Sequence, residues 1–307
     1  MIIRFDKSVV SDDVEQQRLL ADCLVKICRD GHRIEWSGAW KGYIEKTILN
    51  TYYMGQINID EITKNHELLN VTKQDKDFFT YIVVGSEEGM YTVGQLWILL
   101  DKASEIIVEN EIYDGSVYKK WSEVYIDEPA YDDINKRVWQ AFQKSRLRVH
   151  GAGGGDGTIR VIIEGLQTIF GELSTLKLTT VFDSDRKSAG NQSKNVSLIS
   201  FLESNSYKYH CLLKREIENY FPQGLYENCG FVKRGKTMPT FTDEQWDFVD
   251  IPEENYLDYE KKNVKDLAKI VTKEQIKHRV AHQVKFQTRI GTVDEIQHVL
   301  LMFAKFI

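Results

Sequence analysis

The stretch KLTTVFDSDRKSAG, residues 177–190, ends a solid apolar run in two aspartates, Asp183 and Asp185, spaced i, i+2. Side chains at i and i+2 of a strand face one side. Two carboxylates so placed repel unless a cation sits between them. The pair therefore either faces water in a turn with Asx-type hydrogen bonds or holds a metal ion. Two further apolar runs end in comparable fashion. SEIIVEN (104–110) runs into Glu109, and RLRVHGAGGG (146–155) runs into Gly151, Gly153, Gly154 and Gly155. Downstream, LLKREIENYFP (212–222) carries Glu216 and Glu218 beside Lys214 and Arg215. Hard divalent cations seek clustered carboxylate oxygens. Two such ions roughly 4 Å apart stabilise both the attacking and the leaving oxygen of a phosphodiester displacement.

The elements that must position these residues alternate from about residue 104 onward. Short strands at 104–110, 146–155 and 176–185 are separated by helical patterns at 113–125, 131–143, 158–170 and 197–205. This alternation predicts an α/β fold, a mostly parallel sheet with flanking crossover helices, whose active site gathers at the carboxyl ends of the strands. The stretch 212–222 reads as one more helix, stopped by Pro222. On it Glu216 and Glu218 stand about 200° apart, so only one of them can face a given site. Residues 1–100 read as an N-terminal mixed α/β module that sets partner or substrate choice. In it a helix starts at Asp12-Asp13-Val14 and ends at Gly31, a β-rich run at 78–84 is stopped by Gly85, and a short helix follows within 91–103. Its Trp36, Trp40, Tyr52 and Tyr53 read as core or contact residues rather than a cofactor box. Residues 101–235 form the expected catalytic domain. Residues 236–307, acidic at 241–260 and then helical at 256–284 and 292–307, form a C-terminal mostly helical region.

Composition narrows the function classes. The chain has 307 residues, 42% hydrophobic and 28% charged, with a formal charge of −6. That excludes a uniformly basic binder but not a local basic stripe. Such clusters stand at Lys144, Arg146 and Arg148, at Arg186 and Lys187, and at Lys233, Arg234 and Lys236. The four cysteines form no C-x-x-C pair, which suits reduced thiols and a cytoplasmic location. The opening MIIRFDKSVVSDD lacks a basic and then apolar signal pattern, and the apolar runs are too short to span a bilayer, so no membrane is expected. His278 and His282 have i, i+4 spacing, but Arg279 stands where H-E-x-x-H needs Glu, so zinc is not expected. Counted from Gly151, the last position of a dinucleotide fingerprint is Asp156, and no G-x-x-x-x-G-K-[ST] occurs. The glycines are either a phosphate cradle built from backbone N–H groups or a tight turn.

Taken in order, SEIIVENEIYDG, LRVHGAGGG, LKLTTVFDSDRK and LLKREIENYF resemble the Toprim domain, in the version found in overcoming-lysogenization-defect (OLD-family) nucleases and DUF4435-type proteins. The likeness covers roughly residues 104–225. It implies a Toprim-like sheet and a Mg²⁺- or Mn²⁺-dependent nuclease, with two ions. By the resemblance, Glu109 binds metal and serves as general base, Asp114 is the nearby aspartate of the first motif, Asp183 and Asp185 hold the metals, and Glu218 completes the second site. Gly153, Gly154, Arg148, Lys187 and Lys214 are the expected phosphate contacts. The resemblance also implies nucleic acid as partner, an effector role in defence against phage or plasmids, a separate ATPase protein, and a homodimer. Asn110 departs from the family's usual glycine, Asp114 lies one residue further on than the pattern has it, and Glu111 competes with Glu109. TTVFDSD is also similar to the motif of haloacid-dehalogenase phosphohydrolases, with Asp183 as nucleophile, although Lys187 replaces the usual Thr or Val. A glycosyltransferase DxD and a non-catalytic Toprim binding subunit are the remaining alternatives.

Overall fold

The computed structural model describes residues 1–35, 38–52, 78–154 and 156–307. Trp36, Tyr53 and Gly155 lie outside the described residues. Contacts divide the chain into two compact units, 1–104 with 305–307, and 105–304.

In the first unit β1 (Ile2–Phe5), β2 (Arg33–Glu35) and β3 (Tyr81–Val84) form a parallel sheet in the order β2-β1-β3. The helix Val14–Asp30 begins where predicted, because the Asp13 carboxylate accepts from the N–H groups of Glu15 and Gln16 at 2.8 and 3.1 Å. It stops at Gly31, whose φ of +73° suits glycine. Its apolar stripe of Leu20, Cys23, Leu24 and Ile27 is buried. Trp40 is buried and stacks on Phe5 at 4.5 Å, which makes it a core residue. The Tyr52 hydroxyl donates to the Gln17 side chain at 3.1 Å.

The second unit is built on β4 (Ser104–Val108), β5 (Leu147–Gly151), β6 (Leu178–Phe182) and β7 (Lys208–Cys211), a four-stranded parallel sheet in the order β5-β4-β6-β7. All five residues of β6 are buried, as a central parallel strand covered on both faces requires. On one face Ile159, Ile163, Leu198 and Leu202 pack with Ile107, Leu178 and Phe182. The protein is thus α/β with helices flanking parallel sheets. From β4 the chain steps outward to β5, then returns past β4 to β6. That reversal opens a crevice at the carboxyl ends of β4 and β6, where Glu109 and Asp183 stand.

One expectation is corrected, and some elements escaped the sequence. β7 and the hairpin of β8 (Phe286–Thr288) and β9 (Gly291–Val293) went unread in the sequence. Residues 212–222 are not an α-helix. Glu216 is extended at φ −138°, ψ 165°, and only the single 3₁₀ turn Ile217–Tyr220 follows. By contacts, the residues up to 304 belong to the same unit as the four-stranded sheet. The helix Val264–Ile270 packs on the helix Tyr113–Val124, and Glu295–Ala304 packs on Asp132–Gln143. No described helix is long and apolar enough to cross a membrane.

The glycine turn after β5 is pressed onto the end of β4. Ala152 N–H donates to the Val108 carbonyl at 2.8 Å and Gly153 N–H to the Glu109 carbonyl at 3.0 Å. A Cβ on Gly151 would sit 2.6 Å from the Glu111 nitrogen and 2.9 Å from its Cβ. Gly151→Ala is therefore expected to cost about 1–3 kcal/mol in urea unfolding, the range for forced overpacking. Gly165→Ala, in the helix Asp156–Phe170 with nothing within 4 Å of an added Cβ, should be neutral or stabilising by up to about 1 kcal/mol. Equal effects at both positions would contradict the close approach.

Candidate functional site

Glu109 leaves β4 directly into a capped helix start. Asn110 Oδ1 accepts from the N–H groups of Ile112 and Tyr113 at 3.1 and 3.0 Å, and Asn110 N–H donates to Asp114 Oδ2 at 2.9 Å. The asparagine found where glycine was expected is thus the residue that opens the helix Tyr113–Val124, and Asp114 in its first turn is drawn back toward Glu109. Glu111 is exposed, with its backbone against Gly151.

Asp183 follows β6. Its Oδ1 accepts from Ile217 N–H at 2.9 Å, and its carbonyl accepts from Asn195 Nδ2 at 2.7 Å. Ser184 is buried and its hydroxyl donates to the Lys214 carbonyl at 2.6 Å. Asp185 N–H donates to the Arg215 carbonyl at 3.0 Å, and Asp185 has φ +53°, a left-handed conformation uncommon for a residue with a side chain. The strand has already ended at Phe182, so the strand rule that put both carboxylates on one side does not apply. Asp185 instead lies toward Glu216, whose carboxyl is pushed up by burial and further by the charges of Asp250 and Asp185.

The segment after β7 is held from below by a buried ionic network. Lys214 is fully buried, and its ammonium donates to the Asp247 carboxylate and to the Arg279 carbonyl at 2.8 Å. The Arg279 guanidinium donates to Asp247, to Asp243, and to the Asn219 carbonyl at 3.0 Å. His282 Nε2 lies 2.7 Å from Asp247 Oδ2. Asn219 Nδ2 donates to the carbonyls of Trp246 at 2.7 Å and Val249 at 3.0 Å, and Arg215 pairs with Asp250. These distant partners dictate the conformation that replaces the predicted helix. In it Glu216 and Glu218 both act on one cation, Lys261.

Lys261 Nζ stands 3.8 Å from Asp183 Oδ2. Burial, and then the charge of Glu109, push the Asp183 carboxyl well above the usual carboxylate range. Lys261 opposes this, while Glu218 and Asp114 add to it. Burial pushes Glu218 up to about 8, against Lys261 and with Glu216 and Asp114. Burial pushes Asp114 up to about 7, with Asn110 N–H opposing and Glu109 adding. Lys261 is in turn pushed up by Asp183, Glu218, Glu216 and Glu109, against the cost of its own burial. Glu109, Asp114, Asp183 and Glu218 are thus brought together, with Glu216 beside them and Asp185 at the margin. Glu216 Oε2, Glu218 Oε2 and the Tyr259 hydroxyl are buried without a hydrogen-bond partner. The Tyr259 ring lies within reach of the charges of Glu218, Glu216 and Asp114.

The expected phosphate contacts fare differently. Lys214 is enclosed and spent on Asp247, so it is not free to meet a phosphate. Gly153 has φ +78° and Gly154 φ +139°, and the Gly153 N–H is already given to Glu109, which favours the plain turn at that position. Arg148 is exposed near the start of β5, away from its carboxyl end, with Nε donating to the Ser145 carbonyl at 3.2 Å. Lys187 is exposed and lines a cavity of about 340 Å³ with Phe241 and Phe248. Lys261, Tyr259 and the paired role of Glu216 escaped the sequence reading. The Glu-Lys-Lys-Asn at 260–263 carries a capping signal but nothing that points to Asp183, 78 residues earlier.

The donors suit a hard cation in kind: carboxylate oxygens, two of them orphaned, in an enclosure short of positive charge. Among the described residues, no three acidic, histidine or cysteine side chains already stand in metal-ligating geometry. Among the described residues, Lys261 is the cation paired with Asp183, while Arg215 Nε lies 3.7 Å from Glu216 Oε1. Comparison with models of protein families, with curated proteins and with solved structures finds no match.

Raised carboxyls have a signed consequence. Asp114 and Glu218 rise from 3.8 and 4.5 to about 7 and about 8 on folding, so the folded chain binds more protons than the unfolded chain between those limits. Stability must fall as pH rises through this window. In EDTA, unfolding free energy is expected to drop by about 5 kcal/mol from pH 5.5 to pH 8, one pKa unit being worth about 1.4 kcal/mol. Glu218→Gln should flatten much of that slope. A wild-type profile that is level or rising over this range would contradict the buried-charge assignment.

Proposed function

We propose that this chain is a divalent-metal-dependent nuclease that cleaves phosphodiester bonds of nucleic acid, using Mg²⁺ or Mn²⁺. The observation that carries the reading is the meeting of Glu109, Asp114, Asp183 and Glu218 from three chain segments at the sheet's switch crevice, with Glu218 Oε2 buried and unsatisfied. Glu109, Asp183 and Glu218 are the residues that would hold metal, with Asp114 behind Glu109 and Asp185 on the outer side. The metal, when bound, supplies Lewis-acid stabilisation of the phosphoryl oxygens and a more acidic water. The chain itself supplies the rest. Ile217 N–H fixes one oxygen of Asp183 and leaves the other to face the site. The Asn110 cap restrains Asp114 beside Glu109, and Glu109, half-buried at the strand end, serves as proton acceptor for the attacking water. Exposed Lys187 lies on the loop that follows Asp185 and offers a charge to the nucleic-acid backbone.

The order of segments that resembles the OLD-family Toprim nucleases supports the same reading. With it come the proposals of two ions, a role in anti-phage or anti-plasmid defence in the cytoplasm, a homodimer, and a separate ATPase partner. The test is incubation with plasmid, single-stranded DNA and tRNA in Mn²⁺, Mg²⁺ or EDTA. Cleavage should require metal. Asp183→Asn and Glu218→Gln should each lower it at least about 100-fold, the lower end of what a group central to charge stabilisation contributes. Cleavage that persists in EDTA, or in Asp183→Asn, would place the activity elsewhere.

A further inference from the structure

We infer that Lys261 is the resident counter-ion of the carboxylate cluster, a latch that an entering divalent cation must displace. The inference rests on the metal reading proposed above and assigns that site an intramolecular competitor.

The ammonium stands 3.8 Å from Asp183 Oδ2 and is attracted next by Glu218, Glu216 and Glu109. Asp183, Glu218 and Glu109 among them are the acids the metal would use. An ammonium and a divalent ion on the same oxygens repel each other, so both cannot hold these positions. The latch is able to leave, because the Lys261 side chain is 47% exposed. It is also tethered. Glu260 N–H donates to Asn263 Oδ1 at 2.9 Å, which opens the turn Lys261–Asn263. That turn leads into the helix packed on Tyr113–Val124, the element that carries Asp114. Withdrawal of Lys261 therefore moves a side chain and leaves its platform in place. A purely structural ion pair would be expected to satisfy its partners. Here Glu218 Oε2 and Glu216 Oε2 stay without a hydrogen bond despite the ammonium, so Lys261 balances charge without completing the oxygens' bonding.

The experiment is calorimetric titration of Mn²⁺ into metal-stripped wild type, Lys261→Met and Lys261→Arg. Removing the competitor should tighten Mn²⁺ binding about 10-fold in Lys261→Met, within the usual span of coupling between linked binding events. Lys261→Arg, which keeps the charge, should stay within about 3-fold of wild type, well inside that span. In parallel, wild type is acylated with a water-soluble N-hydroxysuccinimide ester and the peptides are quantified by mass spectrometry. Labelling of Lys261 should rise on Mn²⁺ addition. Lys262, paired with Glu260 at 2.7 Å, serves as the internal reference and should not change. If wild type binds Mn²⁺ and Lys261→Met binds it equally or more weakly, or if Lys261 labelling ignores saturating Mn²⁺, the latch is overturned and the metal site stands. If neither wild type nor Lys261→Met binds Mn²⁺, the metal reading itself fails and the latch with it.

Discussion

Carboxylates that repel one another are gathered at one edge of a parallel sheet, and the Lys261 ammonium is set against them. The comparison with Glu295 shows what this arrangement lacks. Glu295 is equally buried, and burial pushes its carboxyl up, yet His210 Nε2, the Tyr220 hydroxyl and Leu213 N–H more than reverse that and hold it below its usual value. Glu218 has no such set of donors, and one of its oxygens has none. A buried carboxylate with its donors in place is structural. Asp183 and Glu218 are instead opposed chiefly by the charge of Lys261, and among the described residues one Glu218 oxygen has no hydrogen-bond donor.

The rest of the second unit can be understood as the scaffold that keeps these charges together against their repulsion. The sheet order brings the ends of β4 and β6 side by side at the point where the chain reverses. The glycine turn after β5 is bonded to the end of β4 and closes that flank. From the other side the buried network of Lys214, Asp247, Arg279 and His282 pins the turn that carries Glu216 and Glu218. Such a network adds little net stability, since desolvation offsets attraction, but losing one partner leaves a buried charge and costs about 3–5 kcal/mol. Its value here is positional. Burial also pulls the Lys214 ammonium down to about 8, with the Arg279 charge adding to the effect and Asp247 opposing it.

The parts of this arrangement legible in the sequence are those that local pattern controls. Apolar runs that stop at Glu109 and Asp183 mark strand ends whatever surrounds them, and the alternation of strands and helices leads to the α/β sheet. The cap of Val14–Asp30 is equally local, since Asp13 acts within three residues of itself. The failures share a different cause. The stretch 212–222 has helical spacing, but Asp247, Arg279 and Asp250 claim its polar groups from more than 30 residues away. Asp185 sits at an irregular turn stabilised by the Arg215 carbonyl, which no periodicity announces. Lys261 was invisible as a site residue because its pairing with Asp183 depends on how the helix Val264–Ile270 docks on Tyr113–Val124.

The central claim is that the cluster is short of cationic charge rather than a finished salt-bridged turn. Melting curves of wild type and Asp183→Asn, each in EDTA and in saturating Mn²⁺, test it most directly. In EDTA the variant should melt level with wild type or slightly above it, by up to about 1 kcal/mol, the scale on which neighbouring like charges oppose each other. In Mn²⁺ the order should reverse, because only wild type gains the binding free energy. An Asp183→Asn protein that melts far below wild type in EDTA, with Mn²⁺ changing neither, would show that Asp183 and Lys261 form a structural pair and would contradict the account.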